Sequence, residues 1–371
     1  MNHGWEKKRL GDVCDIYQPK TISTKDLVEG GEYDVFGANG IIGKYTSYNH
    51  EEPEVLLTCR GATCGTINVS NPKSWINGNA MVVHPTSEGL SKSYLRIALQ
   101  AVDYTGVITG AAQPQITRIS LSPVVIPIPP LEKQKQIVLE LDKINEMLEV
   151  KRGQLKDLDM LSQSLFYEMF GEPFINSKGW IITSFGDLAL SINYGTSLPA
   201  TECGKYPYIR MNNLTDNGYL DLSSLKYIDI PDSEIDKCIV KKGDILFNRT
   251  NSREKVGKTA LFDRTEEMVI AGYIIRVRAK EEILNPVFAV RYMNLPELKE
   301  HLRKICRGAV NQANINSKEM ASIPFMVPPI ELQNEFSVRV EAIEEQKRVI
   351  ESTISDLEVL LASRMDYWFN D

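Results

Sequence analysis

The chain contains one stretch twice, and any fold must accommodate both copies. Pro129-Pro130-Leu131-Glu132 and the polar run to Phe170 recur as Pro328-Pro329-Ile330-Glu331 and the run to Phe369, in a constant register of 199 residues without a gap. In the first copy Ile137, Leu141, Ile144, Leu148, Leu155, Leu158 and Leu165 follow a 4-3 spacing filled in with Lys, Glu, Asp and Gln, the pattern of a coiled-coil seam. In the second copy the seam reads Phe336, Val340, Ile343, Lys347, Ile350, Ile354, Leu357, Leu361 and Arg364. Lys151 and Ser162 break the first seam where the second has Ile350 and Leu361, and Lys347 and Arg364 break the second where the first has Leu148 and Leu165. That complementarity makes each helix the expected partner of the other within one chain. Each copy opens with paired prolines, which end a strand ladder and suit a first helical turn, and then an acidic residue that faces the positive helix end.

The repeat extends upstream. Trp5, Leu10, Gly11 and Asp12 match Trp180, Phe185, Gly186 and Asp187 at an offset of 175, so the second unit carries 24 extra residues. With 371 residues the chain exceeds one ordinary core. It reads as two β-rich globular domains, each followed by a long helix. No run approaches 18 apolar residues and the first ten residues carry no apolar signal core, so a cytoplasmic protein without membrane contact is expected. Six cysteines without a CxxC pair suit reduced thiols. The net charge of −7 is uneven. Residues 330–371 set four cations against ten carboxylates, whereas residues 172–329 set 21 against 19, which leaves a nucleic-acid partner open.

Catalytic signatures are missing: there is no GxxxxGK[ST], GxGxxG or HExxH, and His3, His50, His84 and His301 stand singly. The carboxylates of Pro231-Asp232-Ser-Glu234-Ile-Asp236-Lys237 are too close together to share a metal from adjoining strands, and a solvated turn is expected there. The stretch from Ser91 to Tyr104 and that from Val287 to Cys306 each read as a helix.

What does stand out is two sets of Asn, Gln, Arg, Ser and Thr in Gly-framed loops. Arg can bridge the acceptors of guanine, Asn and Gln can pair with adenine, and Lys can hold phosphates. In the first domain the candidates for reading double-stranded DNA are Asn39, Lys44, Arg60, Thr63, Asn79, Gln113 and Gln115. In the second they are Arg210, Asn212, Asn213, Arg249, Asn251, Ser252, Lys258, Asn311, Gln312 and Asn314, and the loop from Arg249 to Lys258 sets four cations against one carboxylate. Turns favour the same residue types, so the duplication carries the weight.

Several motifs, in order and largely twice, give the chain its family likeness: Pro129-Pro-Leu-Glu-Lys-Gln-Lys-Gln-Ile137 with its echo Pro328-Pro-Ile-Glu-Leu-Gln333, Gly243-Asp-Ile-Leu-Phe-Asn-Arg-Thr-Asn-Ser252, Val256-Gly-Lys-Thr259, Phe36-Gly-Ala-Asn-Gly40 and the Trp-x4-Leu/Phe-Gly-Asp openings. Over essentially its full length the chain resembles the specificity subunit of type I restriction–modification systems. The resemblance implies an α+β fold: target recognition domains at residues 1–128 and 172–327, helical spacers at 129–171 and 328–371, and an antiparallel coiled coil with pseudo-two-fold symmetry. It implies a non-enzymatic subunit in which each domain reads half of a bipartite DNA target. The helices would dock two modification (methyltransferase) subunits, and a restriction subunit can join them; Phe166, Phe170, Trp368 and Phe369 are the candidate docking contacts. No cofactor is expected on this chain. S-adenosylmethionine, with Mg and ATP in the restriction complex, would serve the partner subunits. The competing readings are a self-contained restriction or modification enzyme, disfavoured by the missing motifs, and a coiled-coil scaffold without DNA binding, disfavoured by the duplicated loops.

Overall fold

The computed structural model describes residues 4–110, 113–309 and 312–369. The two copies of the repeat form helices of 40 residues each, Leu131–Phe170 and Ile330–Phe369. The chain divides into two compact units, Met1–Gly153 with Ser352–Asp371, and Gln154–Glu351. Each unit therefore holds one β-rich domain, the first half of one long helix and the last part of the other. No helix among the described residues is long and apolar enough to cross a membrane.

In unit 1 a four-stranded antiparallel sheet takes the order Cys14–Tyr17, Ala80–Pro85, Val55–Thr58, Ile67–Val69. Tyr33–Phe36 lies between Ile41–Tyr45 and Trp75–Ile76 in a second sheet. A two-stranded ribbon, Glu6–Arg9 against Val125–Ile128, brings the chain to Pro129 and the first long helix. The seam residues Ile137, Leu141, Ile144 and Leu148 are buried in one cluster with Leu57, Met81 and Tyr94 of the domain and with Leu357 and Trp368 of the second long helix. Here the helices run antiparallel: Arg364 pairs with Glu140, Arg152 with Glu358 at 2.9 Å, and Lys133 lies 4.8 Å over Trp368.

Unit 2 repeats this plan with more strands. One four-stranded sheet takes the order Ala189–Tyr194, Ile274–Ala279, Ile245–Asn248, Thr259–Leu261; another takes Lys226–Ile228, Tyr206–Ile209, Met268–Ile270, Ile239–Val240. The ribbon Ile181–Ser184 against Pro324–Val327 leads into the second long helix. Its core gathers Phe166, Phe170, Phe288, Phe325 and Phe336, with Phe166 to Phe336 at 5.6 Å across the antiparallel helices.

The helix starts coincide atom for atom. Gln134 is fully buried; its Nε2 donates to Pro129 O (2.8 Å) and Gly89 O (2.6 Å), and its Oε1 accepts from the Ser91 amide (2.9 Å). Gln333 does the same with Pro328 O (2.8 Å), Ile283 O (3.1 Å) and the Asn285 amide (2.9 Å). Ser91 and Asn285 are themselves the N-caps of the domain helices Lys92–Gln100 and Pro286–Met293. One buried glutamine thus ties each long helix to its own domain and satisfies backbone groups that burial would otherwise orphan.

Three expectations change. The stretch from Val287 to Cys306 forms two helices, Pro286–Met293 and Pro296–Ile305, because Pro296 lacks the amide that would continue the first. The segment expected as a solvated turn is a helix, Asp232–Cys238, with acidic residues in its first turn and the Asp236 carbonyl held by the buried Arg276 at 3.1 Å. The seam breaks in the second copy are not met by their repeat equivalents. Because the helices run antiparallel, Lys347 faces Asp159 (2.6 Å) and not Leu148, and Arg364 faces Glu140.

Candidate nucleic-acid interface

In unit 1 the strand Val55–Thr58 runs out into Cys59-Arg60-Gly61, and backbone hydrogen bonds stitch this exit to two other segments. Cys59 N donates to Asn79 O (3.2 Å), Ile116 N to Cys59 O (3.0 Å) and Gly61 N to Pro114 O (3.0 Å). Thr109 and Gln115 exchange two bonds of 2.8 Å across a turn. The turn requires glycine: Gly110 has φ +87°, and a Cβ there would sit 2.4 Å from Gln113 O. Arg60, Asn79, Gln113 and Gln115 are thereby brought to one edge, with Thr63 in the tight turn that follows Gly61. Arg60, Thr63, Asn79 and Gln113 are exposed. Asn39 and Lys44 belong to the other sheet's hairpin, where Asn39 Oδ1 accepts from Asn68 (2.9 Å) and Lys44 pairs with Asp34 (2.8 Å).

Unit 2 builds the same ribbon more fully. Past Ile245–Asn248, Thr250–Asn251 pairs with Gln312–Asn314, which pairs with Arg307–Ala309. Gly308 has φ +105°, and its Cβ would sit 2.4 Å from Gln312 O, the geometry of Gly110. Ile315 N donates to Arg249 O (2.9 Å), as Ile116 does to Cys59. The Arg249 guanidinium lies 4.8 Å over the Tyr194 ring and donates to Gly272 O (3.4 Å) and Asn314 Oδ1 (3.2 Å), while Asn314 Nδ2 donates to Thr250 Oγ1 (2.9 Å). Arg249 and Asn314 therefore hold the ribbon in shape. Gln312 and Asn212 are exposed, and the Asn251 and Ser252 side chains are half-buried, with Asn251 Oδ1 accepting from Ser252 N (2.9 Å).

Some candidates are spent internally. Asn213 is 3% exposed; its Oδ1 accepts from the Arg210 amide (2.8 Å) and its Nδ2 donates to Asp221 O (2.8 Å), so it shapes a turn and offers nothing to a base. Lys258 pairs with Asp216 at 3.0 Å with its side chain 13% exposed, and Arg210 donates to Ser224 O (3.2 Å). Asn311 lies outside the described residues. Phe166 and Phe170 are 1% and 0% exposed inside the core of unit 2, so neither can serve as a docking contact. Trp368 is nearly buried, stacked on Trp5 at 5.9 Å, and Phe369 is half-buried against Tyr94 at 5.8 Å. The carrier of Arg249, Tyr194, has no sequence signal, since nothing local links residues 55 positions apart. Exposed Arg253 and Lys255 add positive charge beside the ribbon.

Two other groups bear on the site. Lys299 Nζ donates to Gly257 O (2.8 Å) at the base of the Arg249–Lys258 loop, and burial, reinforced by Lys258 and Arg303 and opposed by Asp216, pushes its pKa down to about 7. Among the described residues no three His, Cys, Asp or Glu side chains gather to hold a metal ion.

A duplicated α+β domain, each copy with its own Gly-locked polar ribbon and its own half of a helix pair, is the class of fold the chain presents. The profile of the type I restriction modification DNA specificity domain matches residues 2–160 and 177–358, and the chain belongs to that family, carrying the domain twice. It is 22% identical over 358 residues to the type I restriction enzyme EcoKI specificity subunit of Escherichia coli K12, covering 92% of this chain and 72% of that one. It is 20% identical over 368 residues to the MjaVIII specificity subunit of Methanocaldococcus jannaschii, covering 92% and 86%. The S subunit of a type I restriction–modification system from M. genitalium has the same fold, with a TM-score of 0.62 at 16% identity over 99% of this chain and 96% of that one.

Proposed function

We propose that this chain is the non-catalytic DNA-reading subunit of a type I restriction–modification assembly, each unit recognising one half of a bipartite target. The observation that carries the reading is the repeated ribbon. Two Gly-locked hairpins, at Gly110 and Gly308, present exposed Arg60, Asn79 and Gln113 in one unit and Gln312 beside Asn251 in the other. The side chains at the ribbon edge have the donor and acceptor chemistry of base-edge contacts, and Arg253 and Lys255 suit phosphates. The helices would dock two modification subunits, which would supply S-adenosylmethionine and the methyl transfer to adenine; a restriction subunit would bring Mg and ATP. Each target base must leave the stack to reach such an active site.

Sequencing the methylated sites left by the assembled enzyme tests the reading. The expected result is a bipartite motif, and Gln113→Ala should relax one half of it only. A contiguous motif, or relaxation of both halves together, would overturn it.

A further inference from the structure

At the foot of each ribbon lies a tight turn, and the two turns carry different side chains. In unit 1 Phe36 pairs in parallel with Ile76, Thr58 pairs antiparallel with Ala80, and between them Ala80 N donates to Asn77 O (2.9 Å). In unit 2 Ile209 pairs in parallel with Ile270, Asn248 pairs antiparallel with Ile274, and Ile274 N donates to Ala271 O (2.8 Å). Asn77-Gly78-Asn79 and Ala271-Gly272-Tyr273 are therefore equivalent turns. Each ribbon starts on its turn: Cys59 N donates to Asn79 O (3.2 Å), and Arg249 N donates to Tyr273 O (2.9 Å). The second turn is held by its backbone, since Gly272 N donates to Thr196 O (2.7 Å) and Gly272 O accepts from the Arg249 guanidinium (3.4 Å). Tyr273 itself is 54% exposed, and among the described residues no hydrogen bond or ring stack engages its side chain. Asn79, at the same place in unit 1, is exposed as well.

We propose that Tyr273 is a specificity-determining residue for the half-site of unit 2, reading a thymine from the position at which Asn79 reads a base in the half-site of unit 1; this rests on the function proposed above. The backbone bonds that fix the turn are the same with asparagine or tyrosine, so the side chain is free to meet what the ribbon edge meets. The chemistry of the two side chains then separates what they read. An asparagine amide holds a donor and an acceptor in one plane and can pair bidentately with adenine. A phenol has a single oxygen and cannot. What its ring offers is apolar area, and the apolar group that a base edge presents in the major groove is the C5 methyl of thymine. Donors and acceptors for the neighbouring bases come from Gln312 and Asn251 of the ribbon, which needs no second amide at its foot. One backbone frame thus carries a polar reader in unit 1 and an apolar one in unit 2.

The test uses the full-length chain assembled with its modification subunits and reads both the methylated sites and competition binding to DNA. With melting temperatures matching wild type, Tyr273→Ala should relax one position in one half of the bipartite motif, a position at which wild type demands thymine. Tyr273→Phe should keep that demand, because the ring makes the contact. Deoxyuridine in place of thymidine there removes the methyl group alone; it should weaken wild-type binding about fivefold or more and Tyr273→Ala binding by less than about twofold. A motif unchanged by Tyr273→Ala, an equal loss of affinity for all sequences, relaxation in Tyr273→Phe, or wild-type binding indifferent to deoxyuridine would overturn the proposal. If Gln312→Ala relaxes that half while Tyr273→Ala does not, the parent reading stands and Tyr273 is no reader. A wild-type enzyme without a bipartite motif would overturn both.

Discussion

Among the residues with base-reading chemistry, geometry separates those that face outward from those that hold the scaffold. Gln312 is exposed on the ribbon, so Gln312→Ala should weaken binding of the assembled enzyme to one half-site by roughly 1–3 kcal/mol, the range for a base contact, with no change in melting temperature. Lys258 is tied to Asp216 and donates to Leu214 O. Lys258→Ala should therefore cost about 1–2 kcal/mol of stability, as loss of a charged, largely buried hydrogen bond does, and leave the recognised sequence intact. Comparing melting curves with competition binding distinguishes the two. Lys299 gives a pH signature. Its pKa in the fold is about 7, against roughly 10.4 for a free lysine. Between those values the unfolded chain holds more protons, so this residue makes stability rise with pH from about 7 upward and contributes no slope below it. Calorimetry at pH 7 and pH 9 should show a smaller gain for Lys299→Met than for wild type; equal gains would place the titration elsewhere.

At the scale of elements, each long helix is anchored by one glutamine near its start. Gln134→Ala leaves the Ser91 amide and the carbonyls of Gly89 and Pro129 without that partner in a buried setting. With about 1–3 kcal/mol for each unsatisfied buried group, the loss should be about 3 kcal/mol or more, confined to unit 1. Gln333→Ala should do the same to unit 2. Hydrogen exchange read by peptide would locate each effect, and a uniform loss across both units would contradict this division. The polar interruptions of the seam follow a different logic. Lys347 and Arg364 each meet a carboxylate of the antiparallel neighbour, a contact that only one register provides.

For the whole molecule, the units in which the chain packs differ from the intervals marked by its motifs. The core of unit 1 joins the domain to Ile137, Leu141, Ile144 and Leu148 of one helix and to Leu357 and Trp368 of the other. A graft of residues 1–128 from another such chain should change one half of the target, yet melt below a graft that also carries 129–153 and 352–371. Equal melting of the two grafts would mean that the helix faces accept any domain.

The duplication, the α+β class, the two helix starts and the glycines at 110 and 308 are legible in the sequence because they are local. A proline pair, a 4-3 apolar spacing and a glycine in a polar turn each state a backbone requirement within a few residues. Which polar side chains remain available was decided only by tertiary structure. Lys258 and Asn314 look like Gln312 in a string of letters, and they differ because Asp216 and Arg249 reach them from elsewhere in the fold. The same holds for Phe166 and Phe170, whose apolar character suits a partner's surface or the chain's own core equally well. Phe288 and Phe336, more than 100 residues away, settle the matter by covering them.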